Sequence, residues 1–273
     1  MINSAFPRIL IRGGGDLASG VALRLQRAGM RVVIAELAQP RMVRRAVSFG
    51  EAVYAGQVMM EDVEALRVAD IPEAGEALDQ GKIAVLVDPQ LNCLGDLRPI
   101  VLVDARMTKR PPETGLDAAP LVIGLGPGFS AAENCHAVVE TQRGHSLGRV
   151  FWQGSAAEDT GVPGSIASHN LDRVLRAPKS GQLQPRFAIG DHVRKGEIIA
   201  VVDGEAVLAP FDGVLRGLVH SSLLMTSGMK IGDLDPRNEP VYCFQVSDKA
   251  LAIGGGVLEA MLARPEIRGQ LWP

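Results

Sequence analysis

The chain has 273 residues, 47% of them apolar, and a formal net charge of −3 with a pI near 6.0. This length and composition suit a folded protein of one or two domains and exclude general disorder. Because there is no basic excess and only 4% of residues are aromatic, we expect no nucleic-acid ligand. Three features predict a cytoplasmic protein without a membrane partner. The three cysteines are scattered, the N-terminus is unlike a signal peptide, and there is no apolar run of about 20 residues.

The first elements predict a strand, a helix and a second strand. Residues 9–11 are an apolar run that leads into three glycines, and residues 17–30 show apolar side chains at helical spacing. Gly29 is placed to end the helix. Residues 32–35 form the next apolar run, which ends at Glu36. The order is typical of a β-α-β unit.

Three further apolar strands are predicted at residues 84–87, 101–103 and 121–125. They are followed by Asp88, Asp104 and Gly126. Short apolar strands alternating with helical segments favour a parallel sheet covered by helices, that is, a Rossmann-like α/β domain. Ligands of such sheets bind at the carboxyl ends of the strands, where these acids and glycines lie.

A nucleotide-binding turn is predicted at the end of the first strand. Residues 13–18 fit G-x-G-x-x-A, in which Gly13 permits a tight turn, Gly14 lies between, and Gly15 allows a pyrophosphate to approach the backbone. Glu36 lies where an acid would accept hydrogen bonds from a ribose. The alternative is a turn without ligand. Asp16 would repel a phosphate and is alternatively a helix cap.

Two other groups are candidate anion sites. Arg44 and Arg45 follow Glu36 and are expected to bind a phosphate of a nucleotide or a pterin, although adjacent arginines on a helix cannot both face one site. The alternative is a solvated face. Gly126 and Gly128 form a second glycine turn after a strand, which is either an anion site or a wide loop.

Other chemistry-bearing residues are expected to be structural. His136, Glu140 and His145 have loose spacing for a metal site, so a hydrogen-bonded polar cluster is favoured over a metal centre. Cys93 and Cys135 stand alone, and a lone cysteine is more often a small buried residue than a nucleophile.

The second half of the chain contains an internal repeat. Residues 177–181 recur as residues 209–213, an offset of 32 positions, within a series of short β-like runs. The pattern resembles the barrel-sandwich hybrid of lipoyl and biotinyl carrier domains. The hairpin at residues 202–206 has no lysine, so no prosthetic group is attached there, and we expect docking, oligomerisation or capping.

These features predict three regions. Residues 1–170 form a Rossmann-like nucleotide-binding domain, and residues 171–246 form a barrel-sandwich hybrid β domain. Residues 247–273 contain a C-terminal helix that packs back on the rest. Three glycines at 254–256 either allow another backbone to pack closely or break this helix.

Long motifs along the chain resemble the YqeB family of the selenium-dependent molybdenum hydroxylase system. The matching segments are residues 11–18, 44–54, 101–107, 121–129, 136–150 and 247–256. The resemblance implies an accessory or maturation protein for a molybdenum hydroxylase. It implies the hydroxylase or its maturation factors as partners, and a dinucleotide or a molybdopterin nucleotide as ligand.

Three functions therefore remain open. The first is an accessory protein that binds a nucleotide or the nucleotide-bearing molybdenum cofactor. The second is an NAD(P)-dependent oxidoreductase, which the glycine pattern alone supports. The third is a non-catalytic scaffold that docks a hydroxylase through the β domain.

Overall fold

The computed structural model describes residues 8–158 and 172–271, which divide into two compact units. The first unit comprises the described parts of Met1–Pro40, Phe49–Asp159 and Val246–Pro273. The second comprises Arg41–Ser48 and the described part of Thr160–Gln245. This division differs from the contiguous domains expected from the sequence, because the short segment Arg41–Ser48 belongs to the second unit and the C-terminal helices to the first.

The first unit is built on a sheet of nine strands. The strands of this sheet are β1 Arg8–Arg12, β2 Arg31–Glu36, β3 Gln57–Met60, β4 Val63–Val68, β5 Ile83–Val87, β6 Val101–Asp104, β7 Leu121–Leu125, β9 Ala137–Val139 and β10 Val150–Phe151. Two more strands, β8 Ser130–Ala131 and β11 Gly154–Ser155, form a small separate pair. The strand order is β10-β9-β7-β6-β1-β2-β5-β4-β3. Strands from β9 to β4 pair in parallel, and β10 and β3 are antiparallel edges.

Strand β1 lies at the point where the order of the sheet reverses. It pairs with β2 on one side and with β6 on the other, so the chain builds outward in both directions from it. The inner strands are almost wholly buried and rich in Val, Ile and Leu, as parallel strands covered on both faces require. The carboxyl ends of β1 and β6 therefore flank the crevice in which open α/β sheets bind ligands.

The described residues form six α-helices, all in the first unit. They are α1 Asp16–Arg27, α2 Ala52–Ala55, α3 Ile71–Asp79, α4 Leu94–Leu97, α5 Asp248–Leu262 and α6 Pro265–Leu271. Local sequence determines two of the starts. The Asp70 side chain accepts from the Glu73 amide at α3, and the Ser247 hydroxyl accepts from the Ala250 amide at α5.

Helices α1 and α5 pack side by side at unusually close range. A Cβ at Gly20 would lie 2.5 Å from the Ala250 Cβ, and one at Gly254 would lie 2.9 Å from both the Gly20 oxygen and the Arg24 Cγ. These contacts, taken in order along both helices, show that the two run in the same direction. The glycines of α5 thus allow close packing in an unbroken helix, which was one of the two outcomes expected from the sequence.

The second unit consists of two four-stranded antiparallel sheets. Its strands are β12 Val174–Arg176, β13 Gly181–Pro185, β14 His192–Val193, β15 Ile198–Val202, β16 Glu205–Leu208, β17 Gly213–Leu218, β18 Leu224–Met225 and β19 Lys230–Asp235. The orders are β12-β19-β17-β14 and β16-β15-β13-β18. Apolar side chains from both sheets form one core, with Leu183, Ile199, Leu215 and Ile231 among its buried members.

The sequence repeat corresponds to repeated strands. Strands β13, β14 and β15 begin at Gly181, His192 and Ile198, and β17, β18 and β19 begin 32 positions later. The short strand of each repeat pairs with the first strand of the other, since β14 pairs with β17 and β18 with β13. The two repeats therefore share their sheets and complete one core together.

Among the described residues, every helix is too short or too polar to cross a bilayer.

Candidate functional site at the carboxyl edge of the sheet

The turn after β1 uses its first two amides internally. Gly13 has φ of +96°, which favours glycine, and its N–H donates to the Ala35 oxygen at 2.8 Å. The Gly14 N–H donates to Glu36 Oε1 at 2.9 Å. Glu36 Oε2 also accepts from the Leu37 amide. The acid predicted to bind a ribose thus braces the glycine turn.

Burial raises the pKa of the Glu36 carboxyl group. Glu36 is 8% exposed, and burial raises its pKa while the two amide hydrogen bonds lower it, with a net rise. The remaining lone pairs of the carboxylate can still accept a hydroxyl. Glu36 is therefore first a structural acceptor for the turn.

The back of the turn is closed by protein. A Cβ at Gly14 would lie 2.8 Å from the Gly50 Cα and nitrogen, and the Gly50 N–H donates to the Gly14 oxygen at 2.9 Å. The Ser19 hydroxyl donates to the same oxygen and accepts from the Phe49 amide at 2.7 Å. Glycine at position 14 is thus required by packing inside the unit.

Gly15 differs from its two neighbours, because the fold gives no reason for a glycine there. Its φ is −69°, which any residue adopts, and a Cβ would have no atom of residues 8–158 or 172–271 within 4 Å. It is the N-cap residue of α1 and makes no side-chain cap, since it has no side chain. The first turn of α1 therefore faces open space beside Gly15, with the positive end of the helix dipole directed there.

Lys249 lies close to this helix start. It belongs to the first turn of α5, which runs parallel to α1, and it is half-buried. Burial lowers its pKa, although Asp16, Glu140 and Asp248 act to raise it. With every residue that the structure describes, Lys249 makes neither a hydrogen bond nor an ion pair within 4 Å. The ammonium group of Lys249 is thus near Asp16 and lacks a direct partner among the described residues. Its positive charge offsets the repulsion that the Asp16 carboxylate exerts on an anion.

The loop after β9 supports the start of α5. Buried Glu140 accepts from the amides of Thr141, Gln142 and Ala157 at 2.7–2.8 Å. Arg143 donates through both terminal nitrogens to the carboxylate of Asp248 at 2.7 and 2.8 Å. These contacts hold the loop and the helix end together, with Glu140 as a structural acceptor for three amides.

A charged network occupies the other side of the crevice, at the end of β6. Asp104 is fully buried and accepts from Arg106 Nε and Nη2 at 2.9 and 2.6 Å. Arg12, also buried, donates to Thr114 and Glu113 at 2.6 and 3.0 Å. The hydrogen bond from Arg106 lowers the pKa of Glu113 to about 2. This network fixes the loop that follows β6 next to Gly13.

The second glycine turn packs against protein. A Cβ at Gly126 would lie 2.8 Å from Thr141 Oγ1, and one at Gly128 would lie 2.4 Å from the Thr108 oxygen. The Gly126 N–H donates to the Val139 oxygen at 3.1 Å. Internal packing therefore already explains both glycines.

Arg44 and Arg45 lie in the second unit, whereas the glycine turns lie in the first. Arg45 Nε donates to the Leu218 oxygen at 2.9 Å, and Arg44 Nη2 donates to the Tyr242 oxygen at 3.4 Å. Both therefore contact groups of their own unit.

The cysteines and His136 are in settings that suit structural roles. All three thiols are buried, and burial raises the pKa of Cys93 to about 12 and that of Cys135 to about 11. His136 Nδ1 accepts from the Val122 amide at 2.9 Å. Within residues 8–158 and 172–271, no group of three His, Cys, Asp or Glu side chains is arranged to hold a metal.

The sequence motifs did not reveal Lys249 as a site residue. It follows the helix cap Ser247 but has no spacing relation to the glycine turn more than 230 residues earlier. An open polar depression of about 360 Å³, lined by Gln26 and Lys82 among others, lies by the C-terminal end of α1. It is at the opposite end of that helix from Gly15, and its cations Arg27 and Lys82 are paired with carboxylates.

Fold and site together define a mixed α/β protein with a large parallel-rich sheet, a glycine turn at its point of reversal, and added antiparallel sheets. No family model matches the sequence. The chain is 46% identical over 254 residues, 93% of its length, to the uncharacterized protein YqeB of Escherichia coli (strain K12). This identity supports the resemblance to the YqeB family. The match covers 47% of that protein, so the chain spans about half the length of the curated relative.

Three solved structures are distantly similar. They are an aspartoacylase family protein of Mesorhizobium loti (13% identity, 84% of both chains, TM-score 0.26), the ectoine utilization protein EutE of Ruegeria pomeroyi (11%, 84% of this chain and 86% of that one, 0.26) and a succinylglutamate desuccinylase of a Silicibacter species (12%, 85% of both, 0.24). At such TM-scores the similarity supports no inference about function.

Proposed function

We propose that the first unit binds the phosphate of a nucleotide-type ligand at the start of α1, between Gly15 and Lys249. The observation that carries this proposal is Gly15, which neither its backbone angle nor any neighbour requires to be glycine. A phosphate that approaches the backbone does require a residue without a side chain there. Backbone N–H groups of the first helical turn and the Lys249 ammonium would supply the donors.

The details favour a phosphate anchor over the standard NAD arrangement. In that arrangement an acid such as Glu36 serves mainly the ribose, whereas Glu36 serves mainly as an acceptor for the amides of Gly14 and Leu37. A molybdopterin nucleotide also offers a pyrophosphate, so the same anchor suits it. The Rossmann-like interpretation of the first unit, and the choice of ligand within it, are part of this proposal.

The family resemblance supplies the biological role in the proposal. The resemblance of the sequence motifs to the YqeB family implies a cytoplasmic accessory or maturation protein for a molybdenum hydroxylase, and the 46% identity over 254 residues supports the resemblance itself. In this role the first unit would hold a nucleotide-bearing cofactor and release it to the hydroxylase or to another maturation factor. No redox or acid–base step by the chain itself is part of the proposal.

The second unit is proposed to be a barrel-sandwich hybrid that docks a partner. The exchange of short strands between its repeats favours that architecture. Its hairpin between β15 and β16 turns at Asp203 and Gly204, both at positive φ, and has no lysine to carry a prosthetic group. A pull-down of a molybdenum hydroxylase by the full chain, lost on mutation of exposed residues of this unit, would support docking.

Titration calorimetry with NAD, NADP and molybdopterin nucleotides tests the ligand proposal. Gly15→Val and Lys249→Met should each weaken binding at least about tenfold, since the first adds a side chain where the phosphate approaches and the second removes a charge-assisted contact. Gly269→Val is the matched control, because a Cβ at Gly269 also meets no atom within 4 Å and lies in α6. Binding of none of these nucleotides by folded protein, or equal binding by all variants, would refute the proposal. Turnover of NAD with a small substrate would instead favour the oxidoreductase alternative.

A further inference from the structure

The second unit contains a cluster of arginines that the proposed nucleotide site does not use. Strand β19 presents two buried carboxylates at alternate positions, Asp233 and Asp235, which are 2% and 1% exposed. Three arginines of the same unit pair with them, Arg173, Arg216 and Arg237, and the charge of a fourth, Arg44, acts on Arg216. Guanidinium groups thus outnumber carboxylates among the described members of this cluster.

Arg216 owes its place to an irregularity in the sheet. In the pairing of β17 with β19, Leu215 lies opposite Leu234 and Gly217 lies opposite Asp233, with a register shift between them at Arg216. A bulge of this kind re-aims the side chain of the extra residue. Here it coincides with an arginine that is only 7% exposed, and arginine is rarely so deeply buried without strong pairing.

The carboxylates are mainly engaged by the other arginines. Arg173 Nη1 bonds to both oxygens of Asp233 at 2.9 and 3.0 Å. Arg237 bonds to both oxygens of Asp235 through Nε at 2.9 Å and Nη2 at 2.6 Å. Each carboxylate is thus held by an arginine other than Arg216.

Arg216 forms an ion pair with Asp235, which also pairs with Arg237. Its Nη1 lies 3.3 Å from Asp235 Oδ2, and it makes no hydrogen bond to any residue of the described chain. Its Nε is fully enclosed and also lacks an acceptor among those residues. The pKa of Arg216 is lowered to about 10, mainly by burial and secondly by the positive charge of Arg44. A buried guanidinium with unused donors next to a second cation is the setting that a bound anion stabilises.

We propose that the second unit binds a tetrahedral oxyanion, either inorganic phosphate or the phosphate of a monoester, at Arg216 with Arg44. The planar donor fork of arginine matches phosphate oxygens, and Arg216 Nη2, which is not among the enclosed atoms, would gain an acceptor. Gly217 allows the Arg44 segment to approach, since a Cβ there would lie 2.7 Å from the Val43 oxygen. The site lies wholly within the second unit and is independent of Gly15 and Lys249.

Calorimetry of the full chain with sodium phosphate, at constant ionic strength, tests this site. Arg44→Gln should weaken phosphate binding at least about tenfold, whereas Arg186→Gln, an exposed arginine of the other sheet, should change it less than twofold. Arg216→Gln should abolish binding if the variant folds. In wild type the 15N-edited resonance of the Arg216 Nε–H, assigned by its loss in Arg216→Lys, should shift on phosphate addition.

The outcomes separate the two phosphate sources and the two sites. Tighter binding of glycerol 3-phosphate than of phosphate identifies a monoester ligand, and equal binding identifies the free ion; both support the site. Acetate bound as tightly as phosphate contradicts the tetrahedral selectivity. Binding that survives Arg44→Gln but is lost in Lys249→Met places the phosphate in the first unit and overturns this inference, while leaving the proposed nucleotide site intact.

Discussion

Replacing the glycines of α5 by alanine tests the close packing of this helix. In an unhindered helix each Gly→Ala change stabilises by about 1 kcal/mol. Gly255 meets no atom within 4 Å of a built Cβ, so Gly255→Ala should show this gain. A Cβ at Gly256 would lie 2.2 Å from the Gly148 oxygen, about 1.2 Å inside ordinary contact at 3.4 Å.

The clash at Gly256 should outweigh the gain in helix propensity. Gly148 has φ of +80°, and its N–H bonds to the Glu140 oxygen at 2.9 Å, so its backbone cannot easily retreat. Overpacking of this kind costs about 3 kcal/mol, which leaves a net loss of about 2 kcal/mol.

Thermal unfolding followed by circular dichroism or calorimetry measures both variants. At about 2–4 °C per kcal/mol, Gly255→Ala should raise Tm by about 2–4 °C and Gly256→Ala should lower it by about 4–8 °C. Equal shifts in the two variants would refute the inference that α5 needs glycine for contact with the 140–150 loop.

Three further predictions concern charge and thiols. Asp104→Asn should cost about 3 kcal/mol in urea unfolding, because it leaves buried Arg12 with only exposed Glu113 as a carboxylate partner; a loss under 1 kcal/mol contradicts the network. Glu113 is charged in the folded protein down to a pKa of about 2, so its contribution is present above about pH 4.3 and is lost as the pH falls toward 2. Glu113→Gln should therefore flatten acid unfolding over that window, and an unchanged profile would count against the pairing. The three buried thiols should react with Ellman's reagent at pH 8 only on unfolding, and rapid labelling of native protein contradicts their burial.

Local patterns predicted much of the first unit. The apolar runs before Gly13 and Gly126 are β1 and β7, and the helical spacing after Gly15 is α1. The helix ends at Arg27 with Ala28 as its C-cap, and the chain then turns through Gly29 at φ of +83°, the residue predicted to end it. Period and turn chemistry are local properties, so a single sequence reveals them.

Contacts between distant segments were not predictable in the same way. The sequence gives no sign that Arg41–Ser48 belongs with the β unit, since this segment lies between strands of the first sheet. It likewise does not show that Gly14 packs on Gly50, or that Lys249 lies near Asp16. A glycine is suitable both for a ligand-binding turn and for a close packing contact. The three-dimensional neighbours of Gly13, Gly14 and Gly15 are needed to decide which of the two applies at each position.

The pairing of α1 with α5 has a consequence for synthesis of the chain. Arg24 bonds to the Leu251 oxygen, 227 positions away, so a nascent chain that has released α1 lacks this partner until more than 220 further residues have been translated. Until then the small-residue face of α1 around Gly20 stays uncovered on the ribosome. Completion of the first unit should therefore follow synthesis of the second, and stalled chains that lack α5 should be preferred clients of chaperones and proteases.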